Sequence, residues 1–373
     1  MEWLIDGVRA LARNPVYDLT LQIVFVQIGI VIITLSAAFS YRLMARASER
    51  RKDRIRRGTD AILSEYLNGD GVIESALEIA DRISTSDMLW LLREKFRTCR
   101  GRSMERLAQL YVALGFDAKD VRLSRSWVWW NRAAAYRRLG LLRSDIMERI
   151  GDKALRDKNP FVRIEAARAL ARSGSTRGMD VIAPLIASPN RWHAILMAEI
   201  AESSGPAGYA RLRRFVDDEE RPEVRATAIE AIALSKDAQA LPILRRLLRS
   251  PEKELRVRAV KALGAIGVPA LLKDLAALAQ DPEWEVRAQA ARTLGALSND
   301  SQTLAVLRSA LKDRNWWVRY NAARALSQIG EEGIEILREE SQNSADNFAR
   351  DMSRQTVEQN RISGFLALGV SQG

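Results

Sequence analysis

A chain of 373 residues carrying 58 Lys and Arg against 47 Asp and Glu has a net charge of +11, yet it holds only one histidine and one cysteine. Those counts exclude Cys/His zinc sites and an internal disulfide, and the lone Cys99 fits a reducing compartment. A Ser–His–Asp triad would have to use His193, which no glycine-framed serine accompanies, and no Gly-rich phosphate loop appears.

Residues 1–15 predict a short amphipathic helix outside the membrane, with Trp3, Leu4, Val8 and Leu11 on one face and Pro15 at its end. Segment 16–41 predicts a transmembrane helix. Its stretch 19–41 has no charge, and 23 residues at 1.5 Å each span roughly 34 Å, enough to cross a bilayer. Gln22, Gln27 and Gly29 lie on rows that repeat every seven residues, and such rows suit contacts with another transmembrane helix or with a second copy. The next segment, 42–57, reads as a basic juxtamembrane linker with eight basic and two acidic side chains. The positive-inside rule puts this flank in the cytoplasm and the N-terminus outside, and anionic lipid headgroups are its expected partner. A cleaved signal peptide fits less well, because the apolar run is long and the charge follows it.

Residues 58–125 predict degenerate helical repeats or a cap, with helices at 59–67, 72–83, 86–99 and 103–115. The stretch 97–143 carries eleven basic and three acidic residues and contains Trp127, Trp129 and Trp130 beside Arg132, Arg137 and Arg138. Basic residues interleaved with aromatics make these six the first candidate partner-binding group, for protein, lipid headgroups or single-stranded nucleic acid. The bland alternative is that the tryptophans fill space in the first well-formed repeat, as Trp316 and Trp317 would in a later one.

From 126 to 360 an arginine returns every 30 to 32 residues: Arg132, Arg163, Arg225, Arg256, Arg287, Arg319 and Arg350. A fixed period of this length signals a stacked array of helical hairpins. FVRIEAARAL, EVRAQAARTL and WVRYNAARAL each place apolar or small residues on one helical stripe, and a second apolar helix lies between successive copies. An acid stands six residues before several arginines, pairing Asp157 with Arg163, Glu219 with Arg225, Asp281 with Arg287 and Asp313 with Arg319, while Ser250 replaces it before Arg256. The spacing predicts a structural ladder in which the carboxylate caps the turn and the arginine reaches back to it. One repeat breaks the beat, with Ala187 in place of the acid and His193 in place of the arginine. Trp192, His193 and Glu199 form a second candidate partner-binding notch there, against the plainer reading of a relaxed repeat. Segment 331–360 is acidic, and the tail 361–373 is apolar.

The V-R-x-x-A-A-x-A-L frame and the acid–arginine beat resemble the HEAT-repeat family, in particular the short HEAT-like repeats of the phycobilisome-lyase type. The resemblance covers about 126–360. It implies an all-α fold, a right-handed α-solenoid used mainly as a binding surface, with no catalytic residues to carry over. No cofactor and no metal are expected. The reading is a membrane-anchored cytoplasmic scaffold that binds protein partners, a membrane protein among them, at the inner membrane. Two alternatives stay open: a phycobilin-lyase-like chromophore handler, and nucleic-acid binding through 97–143, which the acidic far end disfavours.

Overall fold

The computed structural model describes residues 15–142, 145–186 and 188–370, with side chains described except at 15–25, 269 and 363–370. The predicted helix at 3–15, the tail beyond 370, the Ala187 position and the Gln22 side chain therefore lie outside the described residues. Every regular element described is helical. The chain divides into two compact units, 1–118 and 119–373.

The first unit begins with α1 (Pro15–Asn68). Segment 42–57, expected as a linker, is part of this helix. No proline follows Pro15 within it, and Glu49–Lys52 (2.7 Å) and Asp53–Arg56 (3.5 Å) are same-face pairs that favour continuation. From Val26 to Met44 its large apolar side chains are exposed all round, and the stretch is long and apolar enough to cross a membrane. Thr34 turns its hydroxyl back to the Ile30 and Val31 carbonyls, so its polar group is satisfied within the helix. The last turns of α1 behave differently. Leu63, Tyr66 and Leu67 are buried with Ile79, Leu91, Leu92, Leu107 and Leu110 from α2 (Ile73–Arg82), α3 (Thr85–Thr98) and α4 (Arg102–Ala113). Arg56 donates to Glu94 at 2.7 Å, and Arg106 and Tyr66 exchange side-chain hydrogen bonds to each other's carbonyls at 2.9 and 3.0 Å. α5 (Phe116–Leu123) follows.

The second unit is the expected α-solenoid of helical hairpins. One rank comprises α6 (Trp129–Leu141), α8 (Pro160–Arg172), α10 (Arg191–Ser203), α12 (Pro222–Ser235), α14 (Lys253–Ile266), α16 (Trp284–Leu297), α18 (Trp316–Ile329) and α20 (Asn347–Val370). The alternate rank comprises α7 (Ile146–Leu155), α9 (Arg177–Ile182), α11 (Pro206–Asp217), α13 (Leu241–Leu247), α15 (Leu272–Leu278), α17 (Ser301–Ala310) and α19 (Glu331–Asn343). First-rank helices start where the sequence supplies caps. Asn159, Asn190 and Asn315 accept from amides two or three residues on, and Pro160 and Pro222 occupy first-turn positions that need no donor. In the second rank α9, α13 and α15 are short. Each adjoins a 3-10 turn, and Pro184, Pro242 and Pro269 fall at those junctions.

The alanine frame explains the packing. Ala166, Ala167, Ala290, Ala291, Ala322 and Ala323 are almost fully buried between neighbouring helices. At Gly295 the approach is closer still, since a Cβ there would stand 2.5 Å from the Ala325 Cβ.

Candidate interaction surface

The recurring arginine makes two sets of bonds. Its Nη1 donates to carbonyls five and six residues earlier, in the turn before its own helix. Arg256 reaches Ser250 and Pro251 at 2.9 and 3.1 Å, and Arg287 reaches Asp281 and Pro282 at 2.9 and 3.0 Å. Its Nε and Nη2 point forward, to a carboxylate one repeat on. Arg132 clamps Asp157 (2.7 and 2.7 Å), Arg256 clamps Asp281 (2.8 and 2.9 Å), and Arg287 clamps Asp313 (2.7 and 2.9 Å).

This corrects the expected pairing. Asp157 offers Arg163 only its backbone carbonyl, at 2.8 Å, as Asp313 does for Arg319 at 2.8 Å. The carboxylate is turned to the preceding repeat and also caps the amide two residues on: Asn159, Glu283 and Asn315 donate at 2.9, 2.9 and 2.8 Å. Glu219 does not pair with Arg225 either. Arg221 holds it at 2.8 and 3.0 Å, while Arg225 reaches the Val216 carbonyl (3.2 Å) and stands 3.8 Å from Glu252.

The forward rung is missing where the next turn lacks its acid. Ser250 stands ahead of Arg225 and Ser344 ahead of Arg319, whose guanidinium instead covers the Phe348 ring at 4.7 Å. His193 keeps only the local half of the arginine's role, with Nδ1 3.3 Å from the Ser188 carbonyl. The notch expected around it does not assemble. Trp192 meets His193 edge-on at 5.2 Å, but Glu199, two helical turns away, is held by Arg168 at 2.9 and 3.1 Å.

In the first repeat the structure separates the six candidate residues. Arg138 is buried against Asp120, Arg137 forks onto Glu165 at 3.0 and 3.0 Å, and Arg132 is committed to Asp157. Trp129 stacks on Phe161 with centroids 5.7 Å apart and takes the edge of Trp130. Trp127 stands 93% exposed. It borders an open groove of about 660 Å³ whose walls include Arg125 and Tyr136 on one side and Lys153, Arg156 and Lys158 on the other. These three cations arise from the end of α7 and the turn after it. No motif in the sequence joins them to the tryptophans, because they lie on another helix and the turn after it.

A second feature follows the beat itself. Trp129, Trp130, Phe161, Trp284, Trp316, Trp317 and Phe348 all occupy the first turn of a first-rank helix, two or three residues before the recurring arginine, and all are at least one-third exposed. Trp316 and Trp317 are thus not the buried packing residues expected of them, being 45% and 51% exposed. The signal was present as an aromatic at a fixed offset, but it is interrupted by Glu223 and Glu254.

In α1, Gln27 is exposed and nothing outside the helix's own backbone lies within 4 Å of a Cβ placed at Gly29, so among the described residues none packs on these two candidate contacts. Among the described residues no group of His, Cys, Asp and Glu is disposed to hold a metal. Burial pushes the Cys99 thiol up, against the opposing effects of Lys95, Thr98 and Arg100, which disfavours a nucleophilic thiolate.

HEAT repeats match this chain over residues 209–283 and 272–358. No curated protein sequence matches it. Among solved structures it is similar to the complex of CpcE and CpcF of phycocyanin lyase from Nostoc sp. PCC7120, at 18% identity over 58% of this chain and 88% of that one, with a TM-score of 0.32. A designed armadillo repeat protein in complex with the peptide (KR)4 aligns at 20% identity over 57% and 98% of the two chains, with a TM-score of 0.30. A Kap121p mutant aligns at 13% identity over 82% and 39%, with a TM-score of 0.45.

Proposed function

We propose that this HEAT-repeat chain is a non-catalytic scaffold, anchored in a membrane by α1, whose solenoid binds protein partners on the cytoplasmic side. One observation carries the anchor: the apolar stretch of α1 from Val26 to Met44 is exposed all round, while the same helix continues into a packed, charged bundle. A core helix of a soluble protein would bury that stretch; leaving about a dozen large apolar side chains in water is costly at roughly 25 cal/mol per Å². The basic run 42–57 supports the orientation, with the solenoid inside and the N-terminus outside, beside anionic headgroups. The helix also presents Gln27 and Gly29 for contact with a membrane partner or a second copy.

Support for protein binding comes from the exposed first-turn aromatics, because rings held rigidly on a scaffold are the residues on which interfaces concentrate binding energy. Extraction tests the anchor. The full chain should stay in the pellet after alkaline carbonate washing and be released by detergent, while a variant lacking residues 1–44 should be soluble. Release of the full chain by carbonate alone would overturn it. Photo-crosslinking from position 317 in solubilised membranes should capture protein in a defined set of bands. A crosslinked pool no richer than that from exposed Arg292 would remove the aromatic row from the reading.

A further inference from the structure

We infer that the groove beneath Trp127 is a docking site for an extended acidic peptide segment of a partner protein. The inference deepens the protein-binding reading and is independent of the membrane anchor.

Four cations point to it. Arg125, Lys153, Arg156 and Lys158 are all exposed and line one groove, and none of them has an ion pair among the described residues. The arginines on the neighbouring helix differ, since Arg132, Arg137 and Arg138 are each held by a carboxylate. Uncommitted cations gathered on two facing walls raise the local positive potential and attract carboxylates from solution. The volume, about 660 Å³, suits a few residues of extended chain and is too small to seat a helix with its side chains.

The lining also distinguishes a peptide from a polyphosphate. Asp152 and Asp157 belong to the same groove, bound by Arg177 and Arg132, and each carboxylate has acceptor capacity beyond those bonds. A peptide backbone brings N–H donors that can use it, whereas a phosphodiester brings none and would be repelled. Along α6 the next arginines are neutralised, so a nucleic-acid backbone laid along that helix would meet no further uncommitted cations. Trp127 is a single free ring, because Trp129 already stacks on Phe161. One ring suits closing over a peptide strand better than stacking successive bases.

The test uses the full chain in a non-ionic detergent and a fluorescein-labelled peptide of six Glu-Ser repeats, read by anisotropy at about 100 mM salt, where exposed charges are screened beyond roughly 10 Å. Saturable binding is expected. The double variant Arg125→Glu/Arg156→Glu should bind at least tenfold more weakly, and Trp127→Ala severalfold more weakly. Arg324→Glu, on a distant repeat, should bind like the parent. All four positions are exposed, and unchanged circular-dichroism melts would verify folding. Equal binding by the parent and the double variant would overturn the assignment. So would tighter, competing binding of a twenty-nucleotide oligo-dT or of anionic phosphatidylglycerol vesicles that is lost in the same variant. Because the peptide titration itself needs no membrane, its failure would leave the anchor standing, and release of the protein by carbonate would leave the groove standing.

Discussion

At the scale of single residues, the beat resolves into rungs of unequal worth. Arg287 and Asp313 are almost fully enclosed, so removing one leaves the other charge without its counter-charge, a loss of about 3 kcal/mol. Asp313→Ala should therefore lower the urea midpoint sharply. Glu219→Gln should shift it by less than about 1 kcal/mol, because its partner Arg221 is half-exposed and the pair lies within one turn. Equal effects would mean that the forward rungs contribute nothing special. Acid should reveal the same bonds. Burial opposes ionisation of Asp157 and Asp313, but hydrogen bonds from Arg132 and Arg287 and from the next-but-one amides outweigh it and hold both carboxyls below the usual range. A carboxyl whose folded pKa is depressed contributes stability above its unfolded value of about 3.9 and loses it as pH falls towards the folded value. Thermal stability of the parent should thus be flat near neutrality and fall below about pH 5, and Asp313→Ala should show a shallower fall.

At the scale of helices, the parts legible in the sequence were those fixed by composition at regular intervals. Small residues at i, i+4, i+7 and i+8 can only mean a helix packed closely on its neighbours, and Ala322, Ala323, Ala325 and Leu326 are buried as the stripe requires. The direction of each carboxylate was not legible, because six residues back and twenty-five ahead both fall on the same beat. Asp157 satisfies either spacing, and only the turn geometry sends its side chain to Arg132 and its carbonyl to Arg163. The groove below Trp127 was half legible for a related reason: its second wall lies on another helix and has no motif of its own. Segment 42–57 read as a linker because charge density obscured its helical character, although its i,i+3 pairs were in view. Close packing in the first rank gives a direct test. Gly295→Val should cost about 2–3 kcal/mol by overpacking against Ala325. Combining Gly295→Ala with Ala325→Gly should recover most of the smaller loss caused by Gly295→Ala alone, and a purely additive double variant would contradict the contact.

At the scale of the whole array, stability is close to a sum of repeat and neighbour terms, so a missing rung should matter locally rather than globally. Complete rungs join α14 to α16 and α16 to α18 through Arg256–Asp281 and Arg287–Asp313. From α10 to α14 the sequence of rungs is broken twice, at His193, which has no forward donor, and at Arg225, which faces Ser250. Amide hydrogen exchange should therefore be slowest in α14–α18 and faster in α10–α12, although a buried apolar stripe runs through both, with Leu196, Met197 and Ile200 in place of the alanine frame in α10. Ser250→Asp is the decisive variant. Ser250 already accepts from the Glu252 amide at 3.2 Å, the capping bond that Asp281 makes to Glu283, so an aspartate keeps the cap and adds a carboxylate twenty-five residues ahead of Arg225. A new, partly enclosed bidentate pair should add about 1 kcal/mol and slow exchange in α12 more than in α18. His193→Arg should act in the same direction by placing a forward donor twenty-six residues before Glu219. If Ser250→Asp left α12 exchange unchanged while raising the global melting temperature, the rungs would be acting through the turns rather than between repeats. If neither changed, the mechanical role assigned to the arginine beat would be wrong, and its regularity would reflect only the local bonds to the turn carbonyls.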